Sequence, residues 1–126
     1  REPGGRVQEQ GGVGRRIRDF DKAIELNPTD SQAYENRGVA YRSKGEYEWA
    51  IRDFDKAIEL NPTDVKAYVN RGIAYGSKGE YERAIRDFDK AIELDPTDAK
   101  AYVNRGIAYG SKGEYDRAIR DFDKAI

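Results

Sequence analysis

The chain has 126 residues, enough for one ordinary domain, and 37% of them are charged. Its 23 basic and 24 acidic side chains nearly cancel, which leaves neither the basic stripe a nucleic acid needs nor a polybasic anchor for a membrane surface. It has no cysteine and no histidine, so disulfides and thiolate metal sites are excluded, and the commonest general base and metal ligand are missing.

No apolar run approaches the ~20 residues of a spanning helix, and no charged-then-apolar signal opens the chain. A cytoplasmic setting is therefore favoured. A start at Arg1 without any methionine points to a fragment or a processed product.

Taken in order, residues 17–30 (IRDFDKAIELNPTD) recur unchanged at 51–64 and read as the second helix of a repeat. Ahead of them, a 34-residue frame sets Gly4 against Gly38, Val7 against Tyr41 and Gly11 against Gly45. Pro3, Gly4 and Gly5, with Gly11, Gly12 and Gly14, make a poor first helix. Residues 1–30 are thus an altered or decayed repeat; the alternative is a flexible leader over 1–16.

Residues 31–64 and 65–98 are near-copies, and 99–126 repeats 65–92 except at Val65/Ala99 and Glu82/Asp116. Pro28, Pro62 and Pro96 keep the same 34-residue spacing. Within 65–98, Tyr68, Gly72 and Tyr75 fall on one stripe of a 3.6-period helix, which Gly79 ends. Tyr81, Ala84, Ile85, Phe88, Ala91 and Ile92 form the stripe of a second helix, broken at Asp95-Pro96. Asp98 then stands at the N-cap of the next helix. Each unit is helix, turn, helix, turn, and the last stops before its closing proline. One helix pair cannot bury both stripes alone, so neighbours must stack into a superhelical solenoid. Glycine inside a helix costs ~1 kcal/mol against alanine, so Gly38, Gly72 and Gly106 mark close helix approach.

The order Tyr68, Gly72, Tyr75, Ala84, Phe88, Ala91, Pro96 resembles the tetratricopeptide repeat motif. It returns as Tyr34, Gly38, Tyr41, Ala50, Phe54, Ala57, Pro62, and as Tyr102, Gly106, Tyr109, Ala118, Phe122, Ala125. The resemblance implies an all-α fold, a right-handed superhelical solenoid of antiparallel helix pairs. Arg37, Arg71 and Arg105 stand where the family most often has leucine, so a buried stem with a charged tip is expected, with an acid such as Asp87 as partner.

In that family the first helix of each pair lines a concave groove. Carried over, the groove is made by Asn36, Lys66, Val69, Asn70, Ile73, Lys100, Val103, Asn104 and Ile107, beside the bare Gly76 and Gly110. The asparagines would form a ladder for an extended peptide backbone, and the valines and isoleucines an apolar trough, unless they pack between neighbouring first helices. Some members clamp a C-terminal carboxylate; here Asn70 and Lys100 match that arrangement while Glu35, Val39 and Asn104 do not, which argues against a clamp.

Catalysis is not expected, nor any cofactor or metal. The two acids of each Asp-Phe-Asp triplet (Asp53/Asp55, Asp87/Asp89, Asp121/Asp123) diverge by ~200° on a helix and read as a solvated face with ion pairs. Glu48–Arg52, Glu82–Arg86 and Asp116–Arg120 are spaced for i,i+4 ion pairs. RGIAYGSKG lacks the Gly-Lys-Ser/Thr ending of a phosphate loop.

The sequence therefore supports a protein–protein interaction scaffold that binds a peptide or helical segment. The alternative is a self-assembling repeat array, natural or consensus-like, forming homo-oligomers through uncapped ends. Trp49, where the next copy has arginine, reads as packed on residues 1–16, exposed, or a partner anchor.

Overall fold

The computed structural model describes residues 12–126. Among these every regular element is an α-helix: α1 (Val13–Leu26), α2 (Ser31–Ser43), α3 (Tyr47–Leu60), α4 (Val65–Ser77), α5 (Tyr81–Leu94), α6 (Ala99–Ser111) and α7 (Tyr115–Ala125). They fall into two compact units divided after Asn61. The first helix expected within residues 1–11 lies outside the described residues.

Local chemistry accounts for the boundaries. Asp30, Asp64 and Asp98 are the N-caps of α2, α4 and α6, and each side chain accepts from the backbone N–H two residues on, at 3.0–3.1 Å. Gly45, Gly79 and Gly113 follow α2, α4 and α6 with φ of 81–84°, the left-handed turn that glycine adopts without Cβ strain. Glu80 N–H then donates to the Tyr75 carbonyl at 2.9 Å, closing the α4 end and aiming the chain into α5. The prolines hold tyrosine tips: Tyr34 Oη donates to Pro28 O at 3.1 Å and Tyr68 Oη to Pro62 O at 3.0 Å.

In the first unit α2 packs on both α1 and α3. Its core includes Ile17, Ala33, Ala40, Ala50, Phe54 and Ala57. In the second unit α4 and α5 form one helical hairpin and α6 and α7 another, with α6 laid on α5 and touching α4. Ala67, Ala74, Ala84, Phe88, Ala91, Ala101 and Ala108 are buried at these contacts. Gly38, Gly72 and Gly106 each sit against the aromatic ring of their own hairpin. A Cβ on Gly38, Gly72 or Gly106 would lie only 2.5–2.6 Å from Phe54, Phe88 or Phe122.

The Asp-Phe-Asp face is not simply solvated. Asp53, Asp87 and Asp121 are each only 5% exposed and take bidentate bonds from Arg37, Arg71 and Arg105 of the preceding helix, at 2.7–2.9 Å. The second acid of a triplet faces the next repeat: Asp21 accepts from Arg37 Nη1 at 2.8 Å, and Asp89 from Arg105 Nη1 at 2.9 Å. Each of these two arginines therefore ties its own hairpin and the helix before it. The hydrogen bond to Asp53 or Asp121, more than any other influence, holds the guanidinium of Arg37 or Arg105 charged beyond its ordinary range. The arginines also lie over tyrosine faces, Arg105 at 5.7 Å from Tyr102 and 5.8 Å from Tyr109. The expected stem-and-tip arginine is found, with its tip paired.

Candidate functional site

A cleft of about 240 Å³ opens in the second unit between α4, α5 and α6. Gly72, Ile73, Gly76 and Ser77 line it from α4, Tyr81, Ala84 and Phe88 from α5, and Asn104, Ile107, Ala108 and Ser111 from α6. No charged side chain is among them. The lining is apolar with hydroxyl and amide groups at its rim, the composition of a site for an uncharged side chain or a peptide segment. Small residues stand in its lining, and a Cβ on Gly76 would meet the Ala84 Cβ at 3.9 Å, an ordinary contact distance. In the first unit the position of Gly76 is held by Arg42, whose guanidinium burial makes less readily charged than usual.

Of the residues expected to form the groove, Ile73, Asn104 and Ile107 come together here. Ile107 is 54% exposed, a large apolar side chain left open to a ligand. Val69 is not available: it is 7% exposed and part of the core, whereas Val103 at the same repeat position on α6 is 38% exposed, so the burial comes from neighbouring helices and not from the place within the hairpin. Lys66 and Lys100 are exposed on the first turns of α4 and α6, Val103 is 38% exposed, and Asn70 is half-buried; none lines the cleft.

The asparagines are partly engaged within their own helices. Asn104 Nδ2 donates to the Lys100 carbonyl at 2.8 Å, leaving Oδ1 as an acceptor at the cleft. Asn36, in the first unit, accepts from Gln32 Nε2 at 3.1 Å. Sequence reasoning missed Tyr81, Ala84 and Phe88, which it assigned to packing. Their stripe was visible, but which part of it the next helix leaves uncovered was not.

The ion pairs also differ from the i,i+4 expectation. Glu82 meets Lys112 at the end of α6 instead of Arg86, and Lys112 is shared with Glu114 at 2.9 Å. The Glu82 bond first, then Glu114, keeps the Lys112 ammonium charged above its ordinary range. Trp49 is 52% exposed, its ring 6.1 Å from Tyr41 and under the guanidinium of Arg52 at 4.9 Å. The described residues hold no cluster of acids arranged for a metal, and none of their helices is long and apolar enough to cross a membrane.

The tetratricopeptide repeat model matches residues 31–64 and 65–98, and a second model of that description matches 88–120. No curated protein matches the chain. Among solved structures, a crystal structure of MamA is 35% identical with a TM-score of 0.85, covering 91% of this chain and 67% of its own. MamA 41-end from Desulfovibrio magneticus RS-1 is 27% identical at a TM-score of 0.85, covering 92% of this chain and 66% of its own. The chain thus spans about two thirds of those proteins. The second TPR of Spaghetti (RPAP3), bound to the HSP90 peptide SRMEEVD, is 29% identical with a TM-score of 0.74, covering 82% of this chain and 95% of its own.

Proposed function

Because the chain belongs to the tetratricopeptide repeat family, we propose that it is a non-enzymatic interaction scaffold that takes a peptide or helical segment in the cleft between α4, α5 and α6. The observation that carries this is an uncharged cleft of about 240 Å³ beside the open side chain of Ile107. An apolar partner side chain enters over Gly76 and Ala84, while Asn104 Oδ1 accepts from the partner backbone. A peptide held by the related Spaghetti domain supports this mode. The set of clamp residues is incomplete here, with Glu35, Val39 and Asn104 in three of its places, so we infer that a free terminal carboxylate is not what is read. Lys66, Asn70, Lys100 and Val103 flank the path of a longer ligand on α4 and α6, and Asn36 belongs to the other unit.

A display selection of random peptides against the chain tests the reading. Selected peptides are expected to carry a bulky apolar residue, to bind equally as acid or amide, and to lose at least tenfold in affinity toward Ile107→Asp. Equal binding to that variant and to the unaltered chain rejects the cleft. Assembly of copies into an array is the second reading, favoured by Tyr115, Ile119 and Phe122 of α7, which are 67%, 56% and 38% exposed. A sedimentation coefficient independent of concentration counts against it.

A further inference from the structure

Helices α4 and α5 frame a second hollow, of about 340 Å³. Tyr68, Arg71 and Tyr75 line it from α4, and Arg83, Arg86 and Lys90 from α5, each set at i, i+3, i+7 along one helix face. Arg83 and Lys90 stand two residues beyond Tyr81 and Phe88 of the cleft, about 200° round α5, so the hollow is turned away from the cleft. Asp87 is the one acid in the lining, and Arg71 donates to both its oxygens, at 2.7 and 2.9 Å. Three cations are left over.

None of the three is firmly held. Arg83 reaches Glu80 at 3.2 Å and Lys90 reaches Glu93 at 3.4 Å, acids three residues away along the chain. Such exposed pairs are worth only ~0–1 kcal/mol. Arg86 pairs with no acid among the described residues, and Glu82, one turn before it, goes instead to Lys112 of α6. Arg71 and Arg83 both lie over Tyr75, 6.0 and 5.5 Å from its ring centre, which sets their guanidinium groups beside the hollow. The first unit lacks this arrangement. One frame earlier, Trp49 stands in place of Arg83, and the Arg52 guanidinium lies 4.9 Å over its ring. That repeat has exchanged one cation for an aromatic side chain and engaged a second.

We propose that the hollow between α4 and α5 is a binding site for a phosphate group. Three loosely held cations match the charge of about −1.5 to −2 that a phosphate monoester carries at neutral pH better than they match a single carboxylate. The guanidinium forks of Arg83 and Arg86 bond phosphate oxygens in pairs, and the Lys90 ammonium adds a point charge. Arg71, already tied to Asp87, keeps that acid from opposing the ligand. This goes beyond the cleft reading and does not depend on it.

The probes are phenyl phosphate, benzenesulfonate (like in shape but singly charged) and inorganic phosphate, each titrated into the full chain and followed by amide chemical shifts. The amides of Arg83 and Arg117 are distinguishable, because Glu82 precedes one and Asp116 the other. With phenyl phosphate the Arg83 amide should move saturably. Its affinity should fall at least fivefold in the chain carrying Arg86→Gln, and benzenesulfonate should bind at least fivefold more weakly. Arg83→Trp, the residue of the first repeat, should abolish the movement as read at Lys90. Arg18→Gln, at an exposed cation of α1, should leave the affinity unchanged. Arg83 and Arg86 are exposed, and circular dichroism checks that the helices persist in the variants. Inorganic phosphate bound as tightly as phenyl phosphate upholds the site with the free ion as ligand, and weaker binding upholds it with an esterified phosphate. Absence of saturation, equal affinity for benzenesulfonate, or unchanged affinity in Arg86→Gln overturns the proposal. So does an equal loss in Arg18→Gln, which reduces the effect to net charge, or movement confined to Arg117. Movement confined to Ile73 and Ile107 places the probe in the cleft and overturns this proposal while leaving the cleft reading intact.

Discussion

A carboxylate buried at 5% exposure is tolerable only if its charge is answered, and Asp121 is answered by both Nε and Nη2 of Arg105. Arg105→Leu, which restores the residue usual at that place, removes the answer and strands the acid. The expected loss is about 3 kcal/mol, toward the low end for broken buried pairs because the arginine tip still reaches water. Adding Asp121→Leu should recover most of it, since an apolar pair of similar volume needs no desolvated charge. Urea midpoints of the two variants check both signs. Glycines give a second contrast at the same scale. Gly72→Ala puts a Cβ 2.5 Å from Phe88 Cε1, an overlap costing about 1–3 kcal/mol, only partly offset by better helix propensity. Gly76→Ala, whose Cβ would meet the Ala84 Cβ at an ordinary contact distance of 3.9 Å, should instead stabilise by about 0.5–1 kcal/mol while narrowing the cleft. Thermal unfolding distinguishes these, and a like sign for both substitutions would refute the packing account of Gly72.

At the scale of the helix, α5 and α7 are a controlled comparison: nearly one sequence in two environments. Ile85→Ala should cost about 2–4 kcal/mol, because the site is closed by α6 and cannot collapse around the lost atoms. Ile119→Ala should cost under about 1 kcal/mol, its side chain being 56% exposed already. The same pair shows what was legible. Helix positions, caps and turns follow from Asp98, Gly79 and Pro96, each acting on backbone within a few residues. Burial does not, because identical stripes are buried or bare according to whether another helix lies on them. The candidate site suffers from the same gap: Ile73 and Ile107 could be named by carrying over the groove face that the family resemblance implies, whereas the burial of Val69 and the opening beside Tyr81 depend on packing across helices.

For the whole chain, stability in a repeat array is a sum over neighbouring interfaces. Helix α5 is packed by both α4 and α6, whereas α7 has only α6 among the described helices, and Ile17 is the one buried residue of α1. Amide hydrogen exchange should therefore be slowest in α5 and faster in α1 and α7. Uniform protection would mean one cooperative block and would contradict the neighbour-sum picture. The sequence by itself determined the 34-residue unit, the helix–turn–helix order, the caps and the family, because all of these rest on contacts within a few residues of the chain. Only the tertiary structure decided that Asp87 is buried while Asp89 meets the next arginine, that Val69 is core, and that a cleft remains over Gly76. Those outcomes turn on which helix lies against which, and charge or apolar character alone does not say on which side of a helix the neighbour sits.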